Sequence, residues 1–273
     1  MKKFTFALVA IAMLAFTGCK NNNKEAETEP TIDETASAAQ LNDEAFKAEL
    51  ANLIETSKKL KPAPFAKARK DGSFSLSDKE KLVKPDYLLS PSVVNDLTTL
   101  PVKYRAAGML TADQIIAELY DMPANEYKEA INKLLADIND PALINFYTVP
   151  VDNIAENQEI YEIFVDQEYE EGRADLFWNA TAAGMVEQVY IMTRDIEKFM
   201  PMFTDQMAAD LSFNFICVHD CLSKMVQFYP EMSELNEVLG PLYVINAMTV
   251  DELKEQLTVV KVEIENAREY MLK

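Results

Sequence analysis

Between Asp175 and Arg194 the only charged residue is Glu187, and the stretch is apolar around most of a helical circumference. A helix of that kind cannot lie on a surface; several neighbours must enclose it. The rest of the chain has to supply those neighbours, so the sequence predicts an all-α fold, an irregular multi-helix bundle built around one central helix. Leu211, Phe215, Val218, Leu222, Met225 and Tyr229 set a second inward stripe, backed by Phe213, Ile216 and Cys217. The last segment opens with Thr249-Val250-Asp251-Glu252, a capping box. Its apolar positions Val250, Leu253, Leu257, Val260, Ile264, Ala267 and Met271 alternate spacings of three and four, which predicts a long C-terminal amphipathic helix. The six glycines form no cluster, which argues against glycine-turned sheets and phosphate-cradling loops.

Shorter helices fill the remainder. Ser37-Ala38-Ala39-Gln40 has capping-box form and starts a helix reaching Leu60. Pro62, Pro64, Asp71-Gly72 and Pro85 then interrupt a basic stretch in which only Ser77 to Val83 reads as helical. Helices follow at Ser92 to Leu97 and Val102 to Ala107. Beyond a spacer at Gly108, Thr111-Ala112-Asp113-Gln114 opens Ile115 to Tyr120. Asn125 is placed to cap Glu126 to Ile138. Ile144 to Val149 reads as a loop ended by Pro150, and Asn153 to Glu171 as an amphipathic helix closed by Gly172. No repeat of fixed length emerges, so a bundle is preferred to a solenoid. The helical domain is assigned to 37–273; a division near Pro150 is the alternative, against which the short linkers weigh.

The N-terminus carries a different signal. Lys2 and Lys3 precede an apolar run from Phe4 to Phe16, and small residues then lead to a cysteine, the grammar of a secretion signal. The run is shorter than the roughly 20 residues that span a bilayer. Phe16-Thr17-Gly18-Cys19 resembles the lipobox of bacterial lipoproteins, with phenylalanine where leucine is usual; the resemblance covers residues 1–19. It implies cleavage between Gly18 and Cys19 and a diacylglycerol thioether on Cys19, which would anchor the protein in the lipid bilayer. Lys20 follows the cysteine where an aspartate would favour the inner membrane, so the resemblance implies the outer membrane. Residues 19–36 are too polar to repay ordering and read as a tether, spanning about 50 Å when extended.

Several chemistries are excluded or weakened. A formal charge of -19 repels phosphate backbones and anionic headgroups, so nucleic acid is not an expected partner. No P-loop, GxGxxG, GxSxG, HExxH or paired CxxC motif is present, and no cofactor is expected. Cys217, His219 and Cys221 invite a zinc reading. On a helix, however, His219 points about 160° away from either cysteine, and two buried free thiols are the better expectation. The carboxylates Asp166, Glu168, Glu170 and Glu171 lack the glycine and ligand spacing of a calcium loop and read as a solvated face.

Glu187 falls on the buried side of the central helix, where its carboxylate needs a cation or a raised pKa; Arg105 or Arg194 is the expected partner. Trp178, with Phe177 and Tyr190, is a candidate pocket wall, although aromatics at helical spacing more often serve as core. The leading functional expectation is a non-catalytic binding or scaffold module, engaging an envelope protein or a second copy through a helical groove or the final helix. The alternatives are a receptor for an apolar or carbohydrate ligand around Trp178 and Glu187, and a hydrolase built on paired carboxylates.

Overall fold

No proline lies between Val102 and Leu119, and Leu100–Leu119 forms one uninterrupted helix, α4. A computed structural model describes residues 48–148 and 158–273 of the chain. Before α4 come α1 (48–57), α2 (Pro64–Lys70), α3 (Asp78–Lys81) and a 3-10 turn at Pro91–Asn95. After it come α5 (Ala124–Ile138), α6 (Pro141–Thr148), α7 (Gln158–Glu170), α8 (Ala174–Arg194), α9 (Ile196–Phe199) and α10 (Asp205–Met225). The chain closes with α11 (Ser233–Leu239), α12 (Val250–Val259) and α13 (Lys261–Met271). The fold is all-α, with no strand among the described residues. None of the described helices is long and apolar enough to cross a membrane. The signal segment, Gly18, Cys19, the tether and the Ser37 cap lie outside the described residues.

Helices α4 and α8 are the axis of the bundle. Gly108 meets Ala180 and Gly184, Asp113 reaches Glu187, and the Tyr120 hydroxyl reaches Asp195. The offset between partners stays nearly constant, so the two helices run parallel, with α5, α6 and α7 forming the crossover. As its composition requires, α8 is enclosed: Trp178, Ala183, Val186, Val189 and Ile191 have no solvent exposure. The separate helices expected on either side of Gly108 are one. Gly108 is tolerated in mid-helix because it is the closest approach to α8, and Thr111 is not a cap but donates its hydroxyl to the Ala107 carbonyl at 2.8 Å.

Other boundaries differ for local reasons. The loop expected from Ile144 is helix α6. Pro141 occupies its first turn, and Asp140 Oδ1 accepts from the Ala142 and Leu143 amides at 2.9 and 3.4 Å, which caps the helix. Asn125 does not cap α5, which already begins at Ala124 after Pro123. The Ser77 to Val83 segment shortens to α3, held by a Ser77/Glu80 capping box. The Asn153 start of α7 lies outside the described residues, but Gly172 does close it, at φ 74°, a left-handed conformation suited to glycine. The long C-terminal helix is broken at Val260, where φ -96° and ψ 20° end α12 before α13 begins.

Despite the break, the apolar seam is continuous. Leu253, Leu257, Val260, Ile264, Ala267 and Met271 are at most 5% exposed, with α13 packed along α8. The bundle therefore consumes the surface that suggested self-association through the final helix. The described residues, 48–148 and 158–273, fall in one compact unit.

Candidate functional site

Glu187 finds its cation on α13. Arg268 donates Nε to Glu187 Oε2 at 2.8 Å and Nη2 to Oε1 at 2.9 Å, a two-pronged pair. A further Nη2 bond reaches the Tyr87 carbonyl at 3.0 Å, and the guanidinium lies 3.9 Å from the Tyr190 ring centre. The expected partners are engaged elsewhere: Arg105 sits over the Tyr270 ring, and Arg194 pairs with Glu265 at 3.7 Å.

A second carboxyl joins this pair. Asp113 is fully buried; its Oδ2 accepts from the Leu89 amide at 3.1 Å, while Oδ1 has no N–H donor. Burial, reinforced by the Glu187 carboxylate, raises Asp113 well above the ordinary carboxyl range. Asp113 thus favours its protonated form beside the Glu187–Arg268 ion pair. Both carboxyl groups are without solvent exposure and only Arg268, at 17%, reaches the surface, so Glu187 is a tie between α8 and α13 rather than a group presented to a ligand.

Glu168, expected on a solvated face, is also fully buried. Arg173 explains it: Nη2 contacts Glu168 Oε1 at 3.2 Å, and Nε contacts Asp140 Oδ2 at 2.8 Å. Asp140 also accepts from the Tyr104 hydroxyl, so the network joins α4, the α6 cap and α7. Burial pushes Glu168 up to about 8, opposed by Arg173 and reinforced by Asp140. A carboxyl raised in this way stabilises the fold fully below its unfolded value near 4.5 and loses that contribution as pH rises through about 8. The thermal midpoint of the wild type should therefore fall as pH rises from about 5 to about 8 and level off above, and Glu168→Gln should flatten the fall. Parallel melting curves of the two proteins would check this, and superimposable pH profiles would contradict it.

The remaining sequence candidates resolve as core or surface. Trp178 is fully buried, and its Nε1 donates to the Tyr169 hydroxyl at 2.8 Å. Tyr190 is buried between Arg268 and the Tyr87 ring. Cys217 and Cys221 are free, buried thiols, which burial raises to about 11 and about 12. His219 is exposed and its ring lies tilted against Tyr243, with centres 4.2 Å apart. Among the described residues no group of His, Cys, Asp and Glu is placed to hold a metal ion.

The feature that can receive a molecule lies elsewhere, in a cavity of about 610 Å³ along the groove between α4 and α8. Pockets for small molecules run from roughly 300 to 1,000 Å³. The α8 wall is the face carrying Phe177, Thr181, Gly184, Met185 and Gln188; the α4 wall carries Gly108, Thr111, Ala112, Ile115 and Glu118. Phe146 from α6 and Phe164 from α7 close one end, stacked at 4.4 Å. Phe177 lies 5.7 Å from Phe164. Towards the C-terminal ends of α4 and α8 the lining turns polar. There Gln114 donates to Glu118 at 3.1 Å, and Glu118 also pairs with Arg69 and with Lys128. Trp178 stands edge-on behind Phe177, with ring centres 5.1 Å apart, one layer outside the wall.

Sequence reasoning therefore selected one residue that lines the cavity, Phe177, while Trp178, Tyr190 and Glu187 lie outside its lining. One signal was available: Thr181, Gly184 and Gln188 place small and polar side chains on one face of an otherwise apolar helix, at i, i+3 and i+7. Comparison with protein-family models, with curated proteins and with solved structures finds no match to the chain.

Proposed function

We propose that this chain is an envelope lipoprotein, anchored at the outer membrane through Cys19, whose helical domain binds a small and largely apolar ligand between α4 and α8. The observation that carries the reading is the cavity of about 610 Å³, aromatic at one end and polar at the other. An apolar cavity of that size is normally closed by side-chain packing in a bundle, and here helices α2, α5, α6, α7 and α10 all contribute to its rim without filling it. Ligand binding takes precedence over scaffolding because the C-terminal seam, the feature that favoured a protein partner, is packed inside the bundle. The buried carboxylates Glu187 and Glu168 are each engaged by an arginine.

The test uses Thr181→Phe, which adds a ring to the α8 wall at a half-buried position. Wild-type protein purified from detergent-extracted membranes should release an apolar compound into organic solvent, identifiable by mass spectrometry. The variant should carry at least about tenfold less, the loss expected when a pocket is filled. A wild type that carries nothing above the variant, and that no member of an apolar library stabilises against heat, would overturn the reading.

A further inference from the structure

The charged residues around the cavity run against the character of the chain. The protein has 45 acidic and 26 basic residues, yet among the described residues the charged groups lining the cavity are Lys61, Arg69, Lys128 and one carboxylate, Glu118. Lys61 is engaged along the wall, where its ammonium stands 5.4 Å from the centre of the Phe213 ring. The other three meet at the polar end. Gln114 and Lys128 reach Glu118 Oε1 at 3.1 and 3.4 Å, and Arg69 pairs with Oε2. Burial acts to raise Glu118, but the hydrogen bonds from Arg69 and Gln114 hold it below the ordinary carboxyl range, so a charged carboxylate sits between two cations. Lys128 is held loosely. Its contact is long, an ammonium carries three donors, and its side chain is 53% exposed, so solutes reach it directly. Asn132, one turn further along the same side of α5, is exposed and also lines the cavity. This end of the cavity is rich in donors and open to solvent.

We infer, resting on the ligand-binding reading above, that the ligand is an anionic amphiphile: a long apolar body ending in one carboxylate, which Lys128 and Arg69 receive beside Glu118. The body runs along the groove between α4 and α8 towards Phe146, Phe164 and Phe177. Gly108 and Glu118 stand about 15 Å apart along α4 at helical rise. An extended chain of roughly twelve carbons, with bonds of about 1.5 Å, spans that distance. A compact, singly charged head suits this end, because Glu118 already occupies part of the donor set and repels a dianion. The apolar walls supply most of the affinity, while the cations decide which end of the molecule faces outward and which heads are accepted. Neutral alcohols of the same chain length are bound less tightly, and the corresponding amines least.

Displacement of a neutral reporter tests this. N-phenyl-1-naphthylamine fluoresces on entering an apolar site, and dodecanoate, dodecan-1-ol and dodecylamine compete for it at neutral pH, each below its micelle concentration. Wild-type protein should bind dodecanoate about fivefold more tightly than dodecan-1-ol, with dodecylamine weakest, and added salt should narrow the gap by screening the exposed charges. Lys128→Glu should reverse the order of dodecanoate and dodecylamine while leaving dodecan-1-ol nearly unchanged. Thr181→Phe should weaken all three, locating them in the cavity. Dodecanoate bound no more tightly than dodecan-1-ol by the wild type overturns the carboxylate inference and leaves the cavity reading standing, as does an order that Lys128→Glu does not alter. Failure of the reporter and of every chain to bind overturns both. The wild-type order decides the matter without any variant, so a poorly folding Lys128→Glu protein would not shield the inference.

Discussion

Gly108→Ala should lower the stability of the fold by about 3 kcal/mol, read as a reduced midpoint in urea. A methyl group built on Gly108 would stand 2.3 Å from the Ala180 carbonyl oxygen and 3.1 Å from the Gly184 nitrogen. Both are backbone atoms, so no side chain can swing away, and relief requires moving one helix off the other. That separation would loosen the most extensive helix contact in the bundle and reshape the cavity that the same two helices wall. The control is Gly240→Ala, where an added methyl meets nothing within 4 Å; it should leave the midpoint nearly unchanged. Equal midpoints for the two variants would mean that α4 and α8 slide apart freely, contrary to the packing described above.

Arg268→Met should destabilise the protein by about 3–5 kcal/mol at neutral pH, the usual cost of stranding a buried charge. Removing the guanidinium leaves Asp113 and Glu187 without a cation, in a site where neither has solvent exposure. Glu187 is then driven to take up a proton. Its folded-state pKa rises further, so the defect is smallest in acid and grows as pH climbs through the carboxyl range. Adding Glu187→Met to the same protein should recover most of the loss, because two well-packed apolar side chains can replace an ion pair at little cost. Chemical denaturation of the single and double variants at two pH values checks both statements. A double variant no more stable than Arg268→Met alone would show that the Tyr87 and Tyr190 contacts of Arg268, rather than its charge, hold α13 in place.

The parts of this fold that were legible in the sequence are those dictated by helical periodicity. The enclosure of α8, the inward stripe of α10 and the Thr249 cap all follow from spacing alone, because burying an apolar face leaves a regular trace. What periodicity does not record is which helix lies opposite. Gly108 reads as a break in one dimension and is a contact in three, since its meaning depends on Ala180 and Gly184, far along the chain. Glu187 was identifiable as a buried carboxylate in need of a cation, but choosing Arg268 over Arg105 or Arg194 required knowing that α13 packs on α8. Glu168 was misread for the same reason: the arginine that draws it inward lies beyond the Gly172 turn, off the helix whose face it was assigned to. The cavity is the least legible feature, because an unfilled space is a shortfall shared among several helices and no single segment encodes it.

The distance along the chain between Glu187 and its counter-ion also bears on the order in which the protein can be built. The two residues are 81 positions apart. As the polypeptide is made or threaded from its N-terminus, α8 emerges with a carboxylate that no earlier segment neutralises, and the helix has no stable place to settle until α13 has followed it. Until then the helix at the centre of the bundle lacks the cation that its buried carboxylate needs. Completion of the last helix, rather than appearance of the central one, is the event that commits the domain to its final shape.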